Sequence, residues 1–475
     1  MKTTLLNLFI FLLFSSSAIA QTTFAPLEEI DPNTGNEPFE IESGDLDGDG
    51  NIDLVMATFD FGGSIDYIKW YKNDGSGNFT IQPTISSSVT YIDGLDVADI
   101  DGQFGDDIII SSQNQNKVVC FLSDGAGGFG PEISIDNMLF APGQVKSGDI
   151  NLDGNMDVIV ASFSEFKTVW YEGDGTGSFA SEQVIQIDGG GIDTSYYVDV
   201  ADYDGDTDLD VLVGIYKFPA PQRLEIYYNQ YIESGSTAVS WIKDTQTVDN
   251  TLSRINDIGF ADVNNDGQLD VISVDLSSGD VTWYNKIKNG TSTPTVISDA
   301  SIISTPAVAR VMDIDGDALN DVIVTDFGIA DDAIIWFKGN SNASPDATPT
   351  TIVDNSKQMH DITFGDFDTD TDTDIAFVSN NTDTVDWLEN NLITLGVENF
   401  TVEGLKIYPN PAENILNIKT DRNEILNLTI LDVVGKEVIQ TSLESTTRID
   451  VSKLEAGIYL IKFDGFETTH KFIKN

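Results

Sequence analysis

From residue 38 to residue 391 the chain is a succession of short runs in which apolar and polar residues alternate. A period of two, as in PFEIESG (38–44), reads as a half-buried β-strand. Unbroken apolar runs such as DLVMATF (53–59) and DVIVASF (157–163) read as strands buried on both faces. The runs come in groups of four. An alternating run leads into an acidic loop, and an apolar strand follows. A third run carries an aromatic (YIKWYKN, KTVWYEG, DVTWYNK). A Gly-rich turn (NDGSGNF, SDGAGGF, GDGTGSF) then precedes a short fourth strand such as FTIQPTI or FGPEISI.

The group recurs seven times, its first aspartates spaced by 54, 50, 53, 60, 51 and 53 residues. Four strands in such a repeat is the unit of a propeller blade, so the pattern predicts an all-β fold with a seven-bladed β-propeller over residues 21–391. An open β-solenoid is the alternative. The seventh group lacks its fourth strand after VDWLENN (385–391). TTFAPLEEI (Thr22 to Ile30) has that strand's pattern, so the chain start is expected to complete the last blade and remove an open edge. Five of the six tryptophans, Trp70, Trp170, Trp283, Trp336 and Trp387, hold the aromatic position of strand three. Cys120 and Ile226 hold it in the second and fourth groups. A position filled by Trp, Cys or Ile is a packing site between blades, which makes Cys120 a buried hydrophobe.

The acidic loops carry the chemistry. Oxygen-bearing side chains stand at positions 1, 3, 5 and 9 of each. The first four loops have Asp45, Asp47, Asp49 and Asp53; Asp99, Asp101, Gln103 and Asp107; Asp149, Asn151, Asp153 and Asp157; and Asp202, Asp204, Asp206 and Asp210. The last three have Asp262, Asn264, Asp266 and Asp270; Asp313, Asp315, Asp317 and Asp321; and Asp366, Asp368, Asp370 and Asp374. The spacing matches the first half of an EF-hand loop, but position twelve of the first is Met56 and the flanks are strands. Crowded carboxylates repel one another unless a hard cation neutralises them. Ca²⁺ suits such flexible oxygen cages better than Mg²⁺, and no loop has the Cys or His that Zn²⁺ prefers. Up to seven Ca²⁺ sites are expected.

Charge and composition narrow the rest. The net charge of −54 and pI near 4.1 exclude nucleic acid and anionic lipid as partners. With one cysteine there is no intramolecular disulfide. Lys2, the apolar run Leu5 to Phe14 and Ala18-Ile19-Ala20 form a secretory signal over residues 1–20, too short to span a bilayer. After a linker at 392–403 the balance shifts. Residues 404–475 hold 9 basic and 10 acidic residues, against 15 and 68 in the preceding chain. That break marks a domain boundary, and runs such as LKIYPNP, LNLTILD and GIYLIKF predict a small C-terminal β-sandwich, Ig-like in architecture.

Residues 21–391 resemble FG-GAP and VCBS-type repeats of integrin α-subunit propellers and secreted bacterial proteins, although the FG and GAP residues themselves match poorly. The resemblance implies Ca²⁺-stabilised blades and a binding or adhesion role. Leu405 to Pro411, Asp432 to Lys436 and Leu454 to Tyr459 resemble the type A C-terminal sorting domain of type IX secretion. That implies the type IX machinery as a partner and a location outside a Gram-negative cell or on its outer-membrane surface, after signal cleavage and without membrane insertion.

No GxSxG, HExxH or phosphate loop is present, and His360 and His470 are the two histidines, so a non-enzymatic binding or adhesion protein for glycans or surface proteins is expected. A polysaccharide-acting enzyme and a structural surface-layer component are the alternatives. The face opposite the acidic loops collects Phe59, Phe61, Tyr91, Phe140, Phe163, Phe166, Tyr196, Tyr197, Tyr216, Phe218 and Phe327. Tyr216 and Phe218, in the longest loop between strands two and three, are the expected ligand contacts.

Overall fold

The computed structural model describes residues 24–391 except 60–64, 188–192, 218, 220, 286–293, 329–332 and 355–356. It also describes residues 405–475 except 421–425, 433–435, 444–445, 455–456 and 464–468. The signal segment, the linker, Phe61 and Phe218 lie outside the described residues. Two compact units result, each taken here by itself.

In the first unit every acidic loop joins strands one and two of a four-stranded antiparallel sheet. Blade one comprises Pro38–Gly44, Asp53–Thr58, Ile68–Asn73 and Phe79–Ile81. In six blades the second strand is buried along its whole length, as Asp53–Thr58 and Asp157–Ser162 show, which is why these strands read as unbroken apolar runs; in blade four Asp210–Lys217 ends half-buried at Tyr216 and Lys217. The seventh sheet takes Met359–Gly365, Asp374–Ser379 and Thr384–Leu388, and its outer strand is Glu28–Asp31, with Glu28 opposite Trp387. First strands pack side by side around the ring, Pro38–Gly44 touching both Ile92–Ala98 and Met359–Gly365. At the seam the Ile41 amide donates to Asp361 Oδ2 at 3.1 Å. The seven sheets thus close into a seven-bladed propeller. Blade four adds a strand, Asp249–Leu252, on Gln222–Asn229, supplied by the extra residues of the longest repeat.

The core lies between blades. Trp70 packs among Leu95, Ile108, Ile110 and Val119 of the next blade, and Trp387 among Leu54, Met56 and Tyr71 of the first. Cys120 and Ile226, fully buried, make the same contact with their neighbours. Trp336 is the half-buried member of the set. Burying roughly 200 Å² of indole is worth about 5 kcal/mol at 25 cal/mol/Å² before entropy, so these residues weld the ring.

The second unit is a β-sandwich of two sheets. One holds Lys406–Tyr408, Ile415–Lys419 and Thr446–Asp450. The other holds Glu437–Leu443, Leu426–Asp432, Gly457–Phe463 and Thr469–Lys474. Leu416, Ile418, Leu428, Ile430, Ile461 and Phe472 fill the space between them. Among the described residues of the chain there is no helix.

The Gly-rich turn of blade one meets the last blade's tryptophan. At Gly77 φ is +69°, and a Cβ would lie 2.4 Å from Trp387 Cη2. Gly77→Ala is expected to cost about 2–4 kcal/mol, combining left-handed strain with overpacking. Gly50→Ala, at φ +90° in open space, isolates the backbone part. Equal losses of stability in thermal melts of the two variants would contradict the inter-blade contact as its cause.

Candidate functional site

Each acidic loop is built by its first aspartate. The Asp45 carboxylate accepts the amides of Asp49 and Gly50, both at 3.0 Å. Asp149, Asp202, Asp262, Asp313 and Asp366 hold the amides four and five residues on in the same way. Asp99 instead accepts from Gly102, three residues on, at 2.7 Å. Positions four and six take positive φ in all seven loops. At position six they are Gly50, Phe104, Gly154, Thr207, Gly267, Ala318 and Thr371. The double left-handed bend turns the alternate side chains inward.

The ninth residues, Asp53, Asp107, Asp157, Asp210, Asp270, Asp321 and Asp374, are fully buried. Asp107 accepts the Ile100 amide of its own loop at 2.8 Å and the Ser123 amide beyond strand three at 2.7 Å. Asp157, Asp210, Asp321 and Asp374 repeat this double clamp. Burial drives these carboxyls upward, to about 6 for Asp107 and Asp321, about 7 for Asp53, Asp157 and Asp374, and about 8 for Asp210.

Oxygens converge as a cation cage needs. Ligand atoms of Asp45, Asp47 and Asp53 lie within 4.8 Å of one another, as do those of Asp99, Asp101 and Asp107, of Asp202, Asp204 and Asp206, and of Asp313, Asp315 and Asp321. In loop one, Asp47 Oδ1 and Asp53 Oδ2 are buried without a hydrogen-bond partner. Buried oxygens left bare in this way fit a hard cation. In loops three and five Asn151 and Asn264 each donate to an aspartate, Asp153 and Asp266, at 3.2 Å.

In four blades the residue two places after the strand-three aromatic also bears on the acidic loop, and sequence reasoning missed it. In blades one and six it is a lysine. Lys72 Nζ binds Asp47 and lies 2.7 Å from Asp49; Lys338 Nζ binds Asp315 and lies 2.8 Å from Asp317. In blade three it is Glu172, which accepts from Asn151 Nδ2 at 3.1 Å and so supplies the carboxylate that Asn151 lacks. In blade seven it is Glu389, raised by burial and by the charges of Asp368 and Asp370. Glu233 joins Asp206 and Asp208 in a further cluster in blade four. The sequence carried only a partial signal, since the position is Lys72, Leu122, Glu172, Tyr228, Asn285, Lys338 and Glu389 in the seven repeats.

On the opposite face the aromatics pack on one another. Phe163 lies 5.6 Å from Tyr216 and 5.9 Å from Tyr196, Tyr196 lies 4.8 Å from Tyr197, and Phe59 lies 5.3 Å from Tyr91. Phe327 meets His360, which lies 3.7 Å from Phe39. Tyr216 therefore belongs to an aromatic collar around the ring axis, while Phe140 stands out at 52% exposure.

Comparison with known proteins agrees with this geometry. An FG-GAP-like repeat model matches residues 45–102, 149–213 and 262–324, and a secretion system C-terminal sorting domain model matches 406–475. No curated protein matches. A solved structure of BBS1N in complex with ARL6DN is 11% identical with a TM-score of 0.52, over 79% of this chain and 98% of that one, and shares the fold. A structure described as recognition of non-reducing terminal N-acetylglucosamine by an Agrocybe aegerita lectin is 17% identical with a TM-score of 0.48, over 72% and 86%. The Dos1 propeller is 10% identical with a TM-score of 0.47, over 77% and 95%.

The buried carboxyls of Asp53, Asp107, Asp157, Asp210, Asp321 and Asp374 make stability depend on pH. Their folded pKa values lie above the unfolded value near 4, so the folded state holds more protons between the two. Their contribution is full below about pH 4 and is lost as pH rises through about 6–8. With divalent cations chelated, melting temperature is expected to rise by several degrees when pH falls from 8 to 6. A melt series in EDTA showing a flat or opposite trend would refute the assignment.

Proposed function

We propose that this chain, made of FG-GAP-like repeats and ending in a secretion-system C-terminal sorting domain, is a Ca²⁺-dependent propeller that binds glycans or surface proteins outside the cell. The type IX sorting tail makes it a secreted or cell-surface protein. The observation that carries the calcium reading is the convergence of aspartate oxygens in the loops between strands one and two, with Asp47 Oδ1 and Asp53 Oδ2 bare.

A bound Ca²⁺ supplies positive charge that cancels the mutual repulsion of these carboxylates. Positions 1, 3, 5 and 9 are the residues that would hold it, with Glu172, Glu233 and Glu389 as added oxygen donors. Asp45 and its equivalents shape the loop through backbone amides, and the ninth aspartate fastens it to strand two. In the absence of disulfides, cation binding at the strand connections stabilises the folded ring alone, and stability then rises with free cation concentration. The oxygen-rich loops and the aromatic collar lie on opposite faces, so the metal acts here on the scaffold rather than as a direct ligand contact.

EDTA is expected to lower the melting temperature of the mature protein by more than 10 °C, and to abolish its binding on an array of glycans and surface proteins. An unchanged melt would remove the calcium reading; an array without hits in saturating calcium would remove the binding role. Lys72 and Lys338 already place an ammonium among the carboxylates, so their loops bind Ca²⁺ more weakly than the others. In calcium titrations followed by calorimetry, Lys72→Gln with Lys338→Gln is expected to tighten the weakest sites about tenfold. A weaker or unchanged profile would show that the lysines do not compete.

A further inference from the structure

All seven blades share one irregularity. The pairing of each first strand with its second slips by one residue near the start of the first strand. Five of the extra residues are unambiguous: Phe39, Asp93, Tyr196, Asn256 and His360. In blades three and six the slip falls between Pro142 and Val145 and between Pro306 and Ala309, spanning Gln144 and Val308. A bulge re-aims side chains, and here all seven named residues line one cavity of about 70 Å³ at the mouth of the axial channel. Seven blades therefore contribute one residue each to a single ring, at the opposite ends of the first strands from the acidic loops.

The chemistry of the ring is acidic and aromatic. Asp93 is 6% exposed; burial raises its carboxyl to about 7 against the opposing hydrogen bond from Tyr196, and its Oδ2 has no partner. His360 is held neutral by burial, its pKa lowered to about 4, with Nδ1 2.8 Å from the Phe39 carbonyl. In the same cavity Arg310 pairs with Asp257 at 2.6 Å and Asp361 at 3.0 Å, and beside it Lys146 lies 3.4–3.5 Å from Asp96 and Glu42. Those two cations are thus engaged. Glu40 also lines the mouth, and burial, then the charges of Asp361 and Glu42, raise its carboxyl well above the ordinary range. The cavity thus holds four acidic groups, Glu40, Asp93, Asp257 and Asp361, against the one guanidinium of Arg310, beside the rings of Phe39, Tyr196 and Tyr197, and an entering organic cation would hold the raised carboxyls in their ionised form. Size decides which. A dry cavity of about 150 Å³ takes benzene, so one about half as large admits the tip of an alkyl chain and not a sugar ring.

We propose that the bulge ring at the channel mouth binds a primary alkylammonium group, its charge on Asp93 and its methylenes between Phe39 and Tyr196. The group is either a free amine or the side chain of a lysine presented by a protein. This site is independent of calcium in the loops. It is tested on the calcium-saturated full chain by calorimetry with n-butylammonium, 1-butanol and a lysine-containing peptide. We expect n-butylammonium to bind at least tenfold more tightly than 1-butanol, and Asp93→Asn to remove that preference while the EDTA-sensitive melt stays as in the parent. Peptide binding at least as tight as that of the free amine identifies a protein source; free amine alone identifies a metabolite. Equal binding of alcohol and amine, retention of the preference in a folded Asp93→Asn variant, or displacement of the amine by added Ca²⁺ at equal concentration would overturn the proposal. Should Asp93→Asn fail to fold, Tyr196→Phe, which removes the hydroxyl bonded to Asp93, is expected to change amine affinity by at least threefold, and no change would count against the site.

Discussion

The propeller depends on a carboxylate that water never reaches. At the head of each second strand an aspartate is buried completely. In five blades its two oxygens fasten the amide of its own acidic loop and the amide that follows strand three. One side chain therefore joins strand one, strand two and the turn after strand three. Side chains at that turn extend the link to the preceding blade: Asn73 donates to the Phe367 carbonyl, Ser123 to that of Leu46, Asn229 to that of Ile150 and Asn390 to that of Ile314. A buried anion is expensive unless hydrogen bonds and nearby charge compensate it, so the clamp and the acidic loop beside it belong to one electrostatic problem.

The blades resolve that problem differently. Blades one and six bring a lysine into the loop, blade three exchanges one aspartate for asparagine and adds Glu172, and blade four adds Glu233. A ring of identical sites would load and empty together. Sites of graded charge distribute that dependence, keeping part of the ring neutralised from within by its own ammonium groups. The two faces then divide the labour: strand connections with converging oxygens on one side, and on the other an aromatic collar set around a polar channel.

The repeat, its seven copies, the strand order within a blade and the burial of the tryptophan position were legible because each rests on local periodicity or on identical spacing, which a linear chain displays directly. The acidic loops were legible for the same reason, since alternate carboxylates separated by left-handed bends are a local device. The sorting tail, too, was marked by a break in charge balance and by matching runs through to the last strand.

Tertiary structure alone decided what the copies do together. Lys72 and Lys338 enter the loops from a different strand, about twenty residues away in sequence, and only the fold of the sheet brings them there. His360 and Phe39, 321 residues apart in the chain, stack because the ring closes. A one-residue slip in strand pairing leaves no signature in the hydrophobic pattern, yet it turns one side chain per blade toward a common axis. The chain's alternation thus determined which residues are strand and which are core. Closure of the ring determined which of the remaining residues meet, because those encounters are set by the pairing register and the curvature of seven sheets rather than by sequence neighbours.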